Sequence, residues 1–499
     1  MLAATSAILR AVAFFRYRFD SDEPQHLHVA WGWGAGLLPY RDFFDNHAPL
    51  FHILTAPILG WVGERENVLH FMRAPMLVLF AVVLWGTYVL GKRLYGSETA
   101  KWAALMLSLL PPFFLKSLEY RTDNLWVALW MIAVVVLTGG DFTIARGFAA
   151  GVILGFAMAT SMKTSLLLIT LGIAAMTTIV MKKRPARVGG GAAMLVGTAI
   201  VPAIVALYFV EHGAWDNLVY CNFTFNGAIE ATRTAAAIWG PRIAYVPLMI
   251  IALRIAWRKR QARNDRFFGA VATAAFFLTL GGFWILISPR DYLPFLPMLS
   301  IFAVAAIGRR TWILAALAVV FIAFIFKETR GFKDKTKEEI TMIRQVLRLT
   351  RPGEPLMDLK GETIFRPRPS YHIYEFITRN LMIRGMIKDT IAEDIVSKRC
   401  YVAQADGEFW PPRARAFLSA NFLDLGRLRA AGQWIKPDGS FTIAIPGEYV
   451  IVSRDGIVRP KAAFAAGTYR VNTSQRLAVV WAPAIERGLS PFRLQDRDF

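Results

Sequence analysis

Residues 189–210, GGGAAMLVGTAIVPAIVALYFV, carry no charged side chain. A helix over them rises about 33 Å at ~1.5 Å per residue, enough to cross a hydrocarbon layer of about 30 Å. The flanks differ in sign. Lys182, Lys183, Arg184 and Arg187 precede the stretch, and Glu211 and Asp216 follow it. Basic residues collect on the cytoplasmic side of a membrane, so this stretch fixes an orientation as well as a span.

Working outward, similar apolar blocks occupy 69–90, 101–118, 124–140, 144–161, 164–181, 242–257, 267–287, 292–307 and 311–326. A weaker block at 2–19 contains Arg10 and ends in Arg16, Tyr17 and Arg18. The sum is about eleven spans on this window argument. Alternate loops agree with it. One set holds Lys92, Arg93, Arg146, Lys259, Arg260, Arg263, Arg309 and Arg310; the other holds Asp20, Asp22, Glu23, Asp42, Asp45, Glu119, Asp123 and Asp291. The expected topology places the N-terminus in the cytoplasm and the C-terminal region outside, in a multi-pass protein of a cell inner (plasma) membrane.

Composition supports the same reading. The 499 residues are 55% hydrophobic and 19% charged, with a mean hydropathy of +0.40. Soluble domains run nearer a quarter charged. The formal net charge of +21 does not point to nucleic acid, because many of the cations sit in short loops where they set topology. Cys221 and Cys400 are too distant in sequence to form a metal motif. His26 and His28 lack an evident third ligand, so neither metal nor cofactor is expected.

The apolar blocks stop near Phe326. The expected division is a transmembrane catalytic domain at 1–327, with a long first outer loop at 20–67, followed by a soluble extracytoplasmic domain at 328–499. Within the latter, 328–432 reads as mixed helical and 433–499 as β-rich: short alternating runs at 441–445, 449–452, 469–471 and 477–481 are bounded by glycines, as in a small β-sandwich. In the outer loop, 24–37 and 48–62 look amphipathic, with Trp31, Trp33, Phe51 and Trp61, and are expected to lie along the membrane surface. Trp410, Trp434, Tyr449 and Trp481 could stack on sugars, although aromatics in a small β-domain are more often core.

Chemistry concentrates on the outer face. Asp20, Asp22 and Glu23 follow the first block; any of them could take a proton from an acceptor hydroxyl, or cap the next helix. Arg41, Asp42 and His47 lie further along the same loop, Arg121 and Asp123 open the fourth span, and Lys163 interrupts an apolar run from Gly147 to Val180. Arg290 and Tyr292 belong to a Ser288-Pro-Arg-Asp-Tyr292 element. Carboxylates with several cations suit a general base beside a bound phosphate.

The order of these elements resembles the C superfamily of membrane glycosyltransferases, near bacterial relatives of protein O-mannosyltransferases and of the lipid A aminoarabinose transferase. The resemblance rests on Asp22-Glu23, on Gly36 with Tyr40-Arg41-Asp42 and Pro49-Leu50, and on Asp123, Lys163, Arg290, Tyr292, Pro294 and Pro297. It implies an inverting transfer of a sugar from a polyprenyl-phosphate donor to a glycan, lipid or protein hydroxyl. Asp22 would be the base, with Glu23 and Asp20 as competitors. Asp123 would orient the acceptor or the base, while Lys163, Arg290 and Arg41 would neutralise the leaving phosphate. Such relatives commonly show Lys-Pro-Pro-Leu where this chain has His47-Ala48-Pro49-Leu50, and a neutral imidazole is no permanent cation. The alternative is a multi-span transporter or lipid flippase, which would place polar groups near the bilayer midplane.

Overall fold

The computed structural model describes residues 1–183, 187–228, 234–258, 264–284, 288–405, 410–473 and 475–492. Among the loop cations named above, Arg184, Lys259, Arg260 and Arg263 lie outside these residues. The chain forms two compact units. One comprises 1–18, 46–54 and 72–334; the other comprises 19–45, 55–71 and 335–499. Most of the first outer loop therefore groups with the C-terminal region.

The first unit is helical. Each apolar block expected to span is helical over most of its length. Among the described residues, five helices are long and apolar enough by themselves to cross a membrane: Val68–Tyr95, Thr164–Lys182, Val188–Glu211, Asn264–Phe283 and Thr311–Glu328. Shorter apolar helices run over Thr122–Leu137, Ile144–Thr160 and Leu296–Ile307. The block at 101–118 is broken, because Leu110 takes an extended conformation ahead of Pro111, giving helices Ser97–Leu109 and Pro111–Lys116. A proline disfavours the helical region for the residue before it, which accounts for the break.

Ile144–Thr160 and Val188–Glu211 pack along a seam of small residues. A Cβ at Gly147 would overlap the carbonyl of Gly190, one at Gly151 would overlap that of Met194, and one at Gly155 would sit 2.8 Å from the Thr198 oxygen. Lipid tails are as apolar as leucine, so helices associate by backbone approach and close packing rather than by hiding apolar surface from water. Arg10, inside the weak first block, is buried; its guanidinium donates to the carbonyls of Phe114 (3.1 Å) and Ser117 (2.9 Å) and lies 3.6 Å from the Phe80 ring centroid.

The second unit holds strands β1 Leu356–Met357, β2 Val402–Gln404, β3 Phe422–Asp424, β4 Leu428–Trp434, β5 Ser440–Ile443, β6 Gly447–Ser453, β7 Gly456–Phe464, β8 Gly467–Arg470 and β9 Ala478–Trp481. Seven form one mixed sheet in the order β1-β2-β4-β9-β6-β7, with β3 also paired to β4, while β5 and β8 make a two-stranded ribbon. The expected sandwich would need two facing sheets of similar size. One sheet arises instead because β4, at 428–434, pairs with both β2 and β9 and joins the halves. Trp410, Tyr449 and Trp481 are buried in the core of this unit, and Trp434 is partly buried under Arg476.

The outer-loop helices are Asp22–Gly34 and Leu50–Val62. Residues 23–30 are buried without a break. An interfacial helix would keep one face open, so 24–37 does not match that expectation.

The glycine seam yields a stability test. Gly151→Leu should reduce the fraction of monodisperse protein recovered in mild detergent, measured by size-exclusion chromatography, whereas Gly172→Leu, where a Cβ meets no atom within 4 Å, should behave as wild type.

Candidate active site

Three helix ends meet within the first unit. Asp123 lies in the first turn of Thr122–Leu137, where the exposed amides and the helix dipole favour a carboxylate. Lys163 caps Thr164–Lys182, after an extended Ser161 that ends the preceding helix. Asp291 belongs to a short 3-10 turn, Pro289–Tyr292, closed by a capping box with Ser288 whose amide donates to Asp291 Oδ2 at 2.7 Å.

Lys163 Nζ is 2.9 Å from Asp123 Oδ1 and 2.6 Å from Asp291 Oδ1. Arg121 Nε approaches Asp123 Oδ2 at 3.3 Å. Beside them Glu119 is held by Lys116 at 2.6 Å and by Arg290 Nε at 3.3 Å. Arg121, Asp123, Glu119 and Asp291 are buried. Trp126 and Trp284 place their rings 5.3 and 5.6 Å from the Lys163 ammonium, a cation–π arrangement. Tyr292 is buried against Phe276, Phe277 and Phe295, with ring centroids 6.2 and 6.0 Å away for the first two.

The structure thus gathers Arg121, Asp123, Lys163 and Arg290 from the sequence-derived set and adds Lys116, Glu119 and Asp291. Glu119 and Asp291 stand in the elements that drew notice on the outer face; their ion pairs are what the sequence did not convey. Lys116 belongs to none of the motifs singled out in the sequence. His47, in the same unit, lies edge-on to His52 at 6.3 Å.

The remaining candidates belong to the second unit. Asp20 and Glu23 bond across one turn: the Asp20 amide donates to Glu23 Oε1 at 2.7 Å, and the Asp22 amide donates to Asp20 Oδ1 at 3.3 Å. Both carboxylates are therefore engaged in the turn that starts the helix. Asp22 points elsewhere. Its Oδ1 lies 2.6 Å from Lys360 Nζ, which also donates to Ser21 Oγ at 3.2 Å. Burial works against the Lys360 ammonium, but Asp22 and then Glu362 raise its pKa above the ordinary lysine value. Arg41 and Asp42 pair with each other at 2.8 Å, and Asp42 Oδ2 accepts from the Leu38 amide at 2.8 Å. No motif marks Lys360.

No protein-family model matches the sequence, and no curated protein matches it. Solved structures do. ArnT from Cupriavidus metallidurans in the apo state superposes with a TM-score of 0.60 at 14% identity, over 86% of this chain and 97% of that one. Its fold is that of ArnT. The form of the same protein bound to undecaprenyl phosphate matches at 0.60 and 13% identity, over 96% of this chain and 97% of that one. An oligosaccharyltransferase from Archaeoglobus fulgidus, in complex with zinc and sulfate, gives 0.46 at 10% identity over 93% and 73%. ArnT is a member of the C superfamily, the group that the outer-face motifs resemble. The ArnT fold is a membrane-embedded helical one, in keeping with the five long apolar helices.

The shared lysine gives a direct test. Lys163→Met leaves two buried carboxylates without their common cation, which should cost about 3–5 kcal/mol. Thermal unfolding in detergent, followed by intrinsic fluorescence, should show a clear drop, and adding Asp291→Asn should recover part of it.

Proposed function

We propose that the protein is an inverting glycosyltransferase acting on the outer face of an inner membrane, with a sugar carried on polyprenyl phosphate as donor and a hydroxyl of a glycan, lipid or protein as acceptor. The acceptor oxygen attacks the anomeric carbon, the bond from that carbon to the phosphate oxygen breaks, and the acceptor proton passes to a carboxylate. The products are the glycoside and polyprenyl phosphate.

The observation that carries this reading is the ion cluster around Asp123. Four cations (Lys116, Arg121, Lys163 and Arg290) stand against three carboxylates (Glu119, Asp123 and Asp291). A phosphate leaving group needs charge neutralised more than it needs a protonating acid, and guanidinium forks suit phosphate geometry. Arg290 and Arg121 are assigned to the phosphate, and Lys163 to fixing Asp123. The ArnT fold adds support, since ArnT is a lipid A aminoarabinose transferase with a structure holding undecaprenyl phosphate.

Asp22 is assigned the role of base. It is preferred to Asp20 and Glu23 because their carboxylates are engaged in the turn that starts the helix, whereas the Asp22 side chain is 25% exposed. Arg41, held by Asp42, is assigned no phosphate contact.

Purified protein in nanodiscs would be given undecaprenyl-phosphate-linked glucose, mannose or 4-amino-4-deoxyarabinose, with an outer-membrane glycolipid extract as acceptor. Wild type should release undecaprenyl phosphate and form a glycosylated product. Asp22→Asn should lower kcat by about a thousand-fold, within the ~10²–10⁴ that general-base catalysis contributes, and Glu23→Gln should cost less. Retention of full activity by Asp22→Asn would remove the base assignment.

The proposed topology is testable separately. A membrane-impermeant maleimide applied to intact spheroplasts should label Asp455→Cys and leave Lys183→Cys unlabelled until the cells are permeabilised; the native Cys221 and Cys400 are buried.

A further inference from the structure

Within the second unit, the helix Asp22–Gly34 and the segment 358–368 are fixed to each other. Asp358 is fully buried, and its carboxylate accepts from the amides of Gly361 (2.8 Å) and Thr363 (2.9 Å), the Thr363 hydroxyl (2.7 Å) and Arg368 Nε (2.8 Å). Arg368 also donates to the carbonyls of Asp358, Leu359 and His372, each at 3.0 Å. The segment's backbone is thereby set from within. Gly361, at φ +95°, lies against His28, where an added Cβ would come within 2.7 Å of the His28 Cβ. His28 Nδ1 is 2.8 Å from the Ile364 carbonyl. Both contacts pin the helix a turn and a half beyond Asp22.

Lys360 projects from this fixed segment. Its amide donates to Glu362 Oε2 at 2.8 Å, and its side chain is 11% exposed where it meets Asp22. Solvated surface ion pairs hold neither partner in place and contribute little. Here the lysine backbone is anchored on one side and the helix on the other, so the ammonium is delivered to one carboxylate oxygen.

We infer that Lys360 is a positioning residue for Asp22: its ammonium, 2.6 Å from Asp22 Oδ1, fixes the direction of the carboxylate and favours its charged form, so the C-terminal region acts on the reaction through one ammonium. This rests on Asp22 being the base. Asp20 and Glu23 share the turn with Asp22, Glu339 faces Glu23, and Glu362 and Glu375 face Lys360. Arg427 offsets Glu339 from the other side, and the carboxylates closest to the pair, as like charges, disfavour the charged form of Asp22. Burial, and then Asp358, push Glu362 up to about 7.

The test uses the full chain in nanodiscs, with whichever of the three undecaprenyl-phosphate sugars wild type turns over. Profiles of kcat/KM against pH would be compared for wild type, Lys360→Met, Lys360→Gln, Lys360→Arg and Asp22→Asn. Removing the cation should move the acid limb of Lys360→Met and Lys360→Gln to higher pH by about one unit. That is about a ten-fold loss on the acid side, with the donor KM little changed, and Lys360→Arg should restore most of it. An acid limb that stays in place in both neutral variants, while Asp22→Asn is inactive, overturns the role of Lys360 and leaves the base assignment standing. Activity surviving in Asp22→Asn overturns both.

Discussion

A lysine ammonium shared by two buried carboxylates governs the helical unit. Removing an ion from water costs several kcal/mol even after relaxation, and the cost is offset only where partners and hydrogen bonds are in place. Lys163, Asp123 and Asp291 come from three separate places in the chain, so the first turn of Thr122–Leu137, the joint before Thr164–Lys182 and the 3-10 turn at 289–292 must arrive together. Neighbouring features serve that meeting. The extended Ser161 ends one helix in time for Lys163 to cap the next, and Ser288 holds the turn that carries Asp291. Trp126, whose indole donates to Thr164 at 3.0 Å, fills the space beneath the ammonium.

The second unit is organised by the same rule at other positions. Asp358 is satisfied by two amides, a hydroxyl and Arg368, and Arg366 reaches Glu64 at 2.9 Å as well as Thr350. The Arg366-Pro-Arg368-Pro run is punctuation when read as sequence. Folded, its two arginines become buried anchors, one tied to a residue of the first outer loop. That loop is long because it carries helices that are packed and bonded on several sides. An apolar stripe laid on lipid would have no use for His28 and Glu23 in buried positions.

Much of the architecture was legible in advance. Spans such as 189–210 announce themselves because a bilayer demands length and apolarity together, and that demand is written in consecutive residues. The strands at 441–445, 449–452, 469–471 and 477–481 were visible as alternation, and each has a counterpart among β5, β6, β8 and β9. β7 was missed, since Pro460 and the charges at Arg459 and Lys461 interrupt any apolar alternation; as a largely exposed edge strand it tolerates both. The small-residue seam at Gly147, Gly151 and Gly155 passed as ordinary apolar sequence, because its meaning depends on which helix lies opposite.

By itself, the sequence determined that the chain is a many-helix membrane protein with a β-containing C-terminal region, and that its ionisable residues collect at particular loop ends. Those properties are local sums over neighbouring residues. Tertiary structure alone decided which charges meet: that Lys163 serves two aspartates, that Asp20 and Glu23 are engaged in one helix start, and that Asp22 faces Lys360, more than three hundred residues later. Ion pairing acts over a few ångströms of space and is indifferent to separation along the chain, so no reading of neighbours could have supplied it.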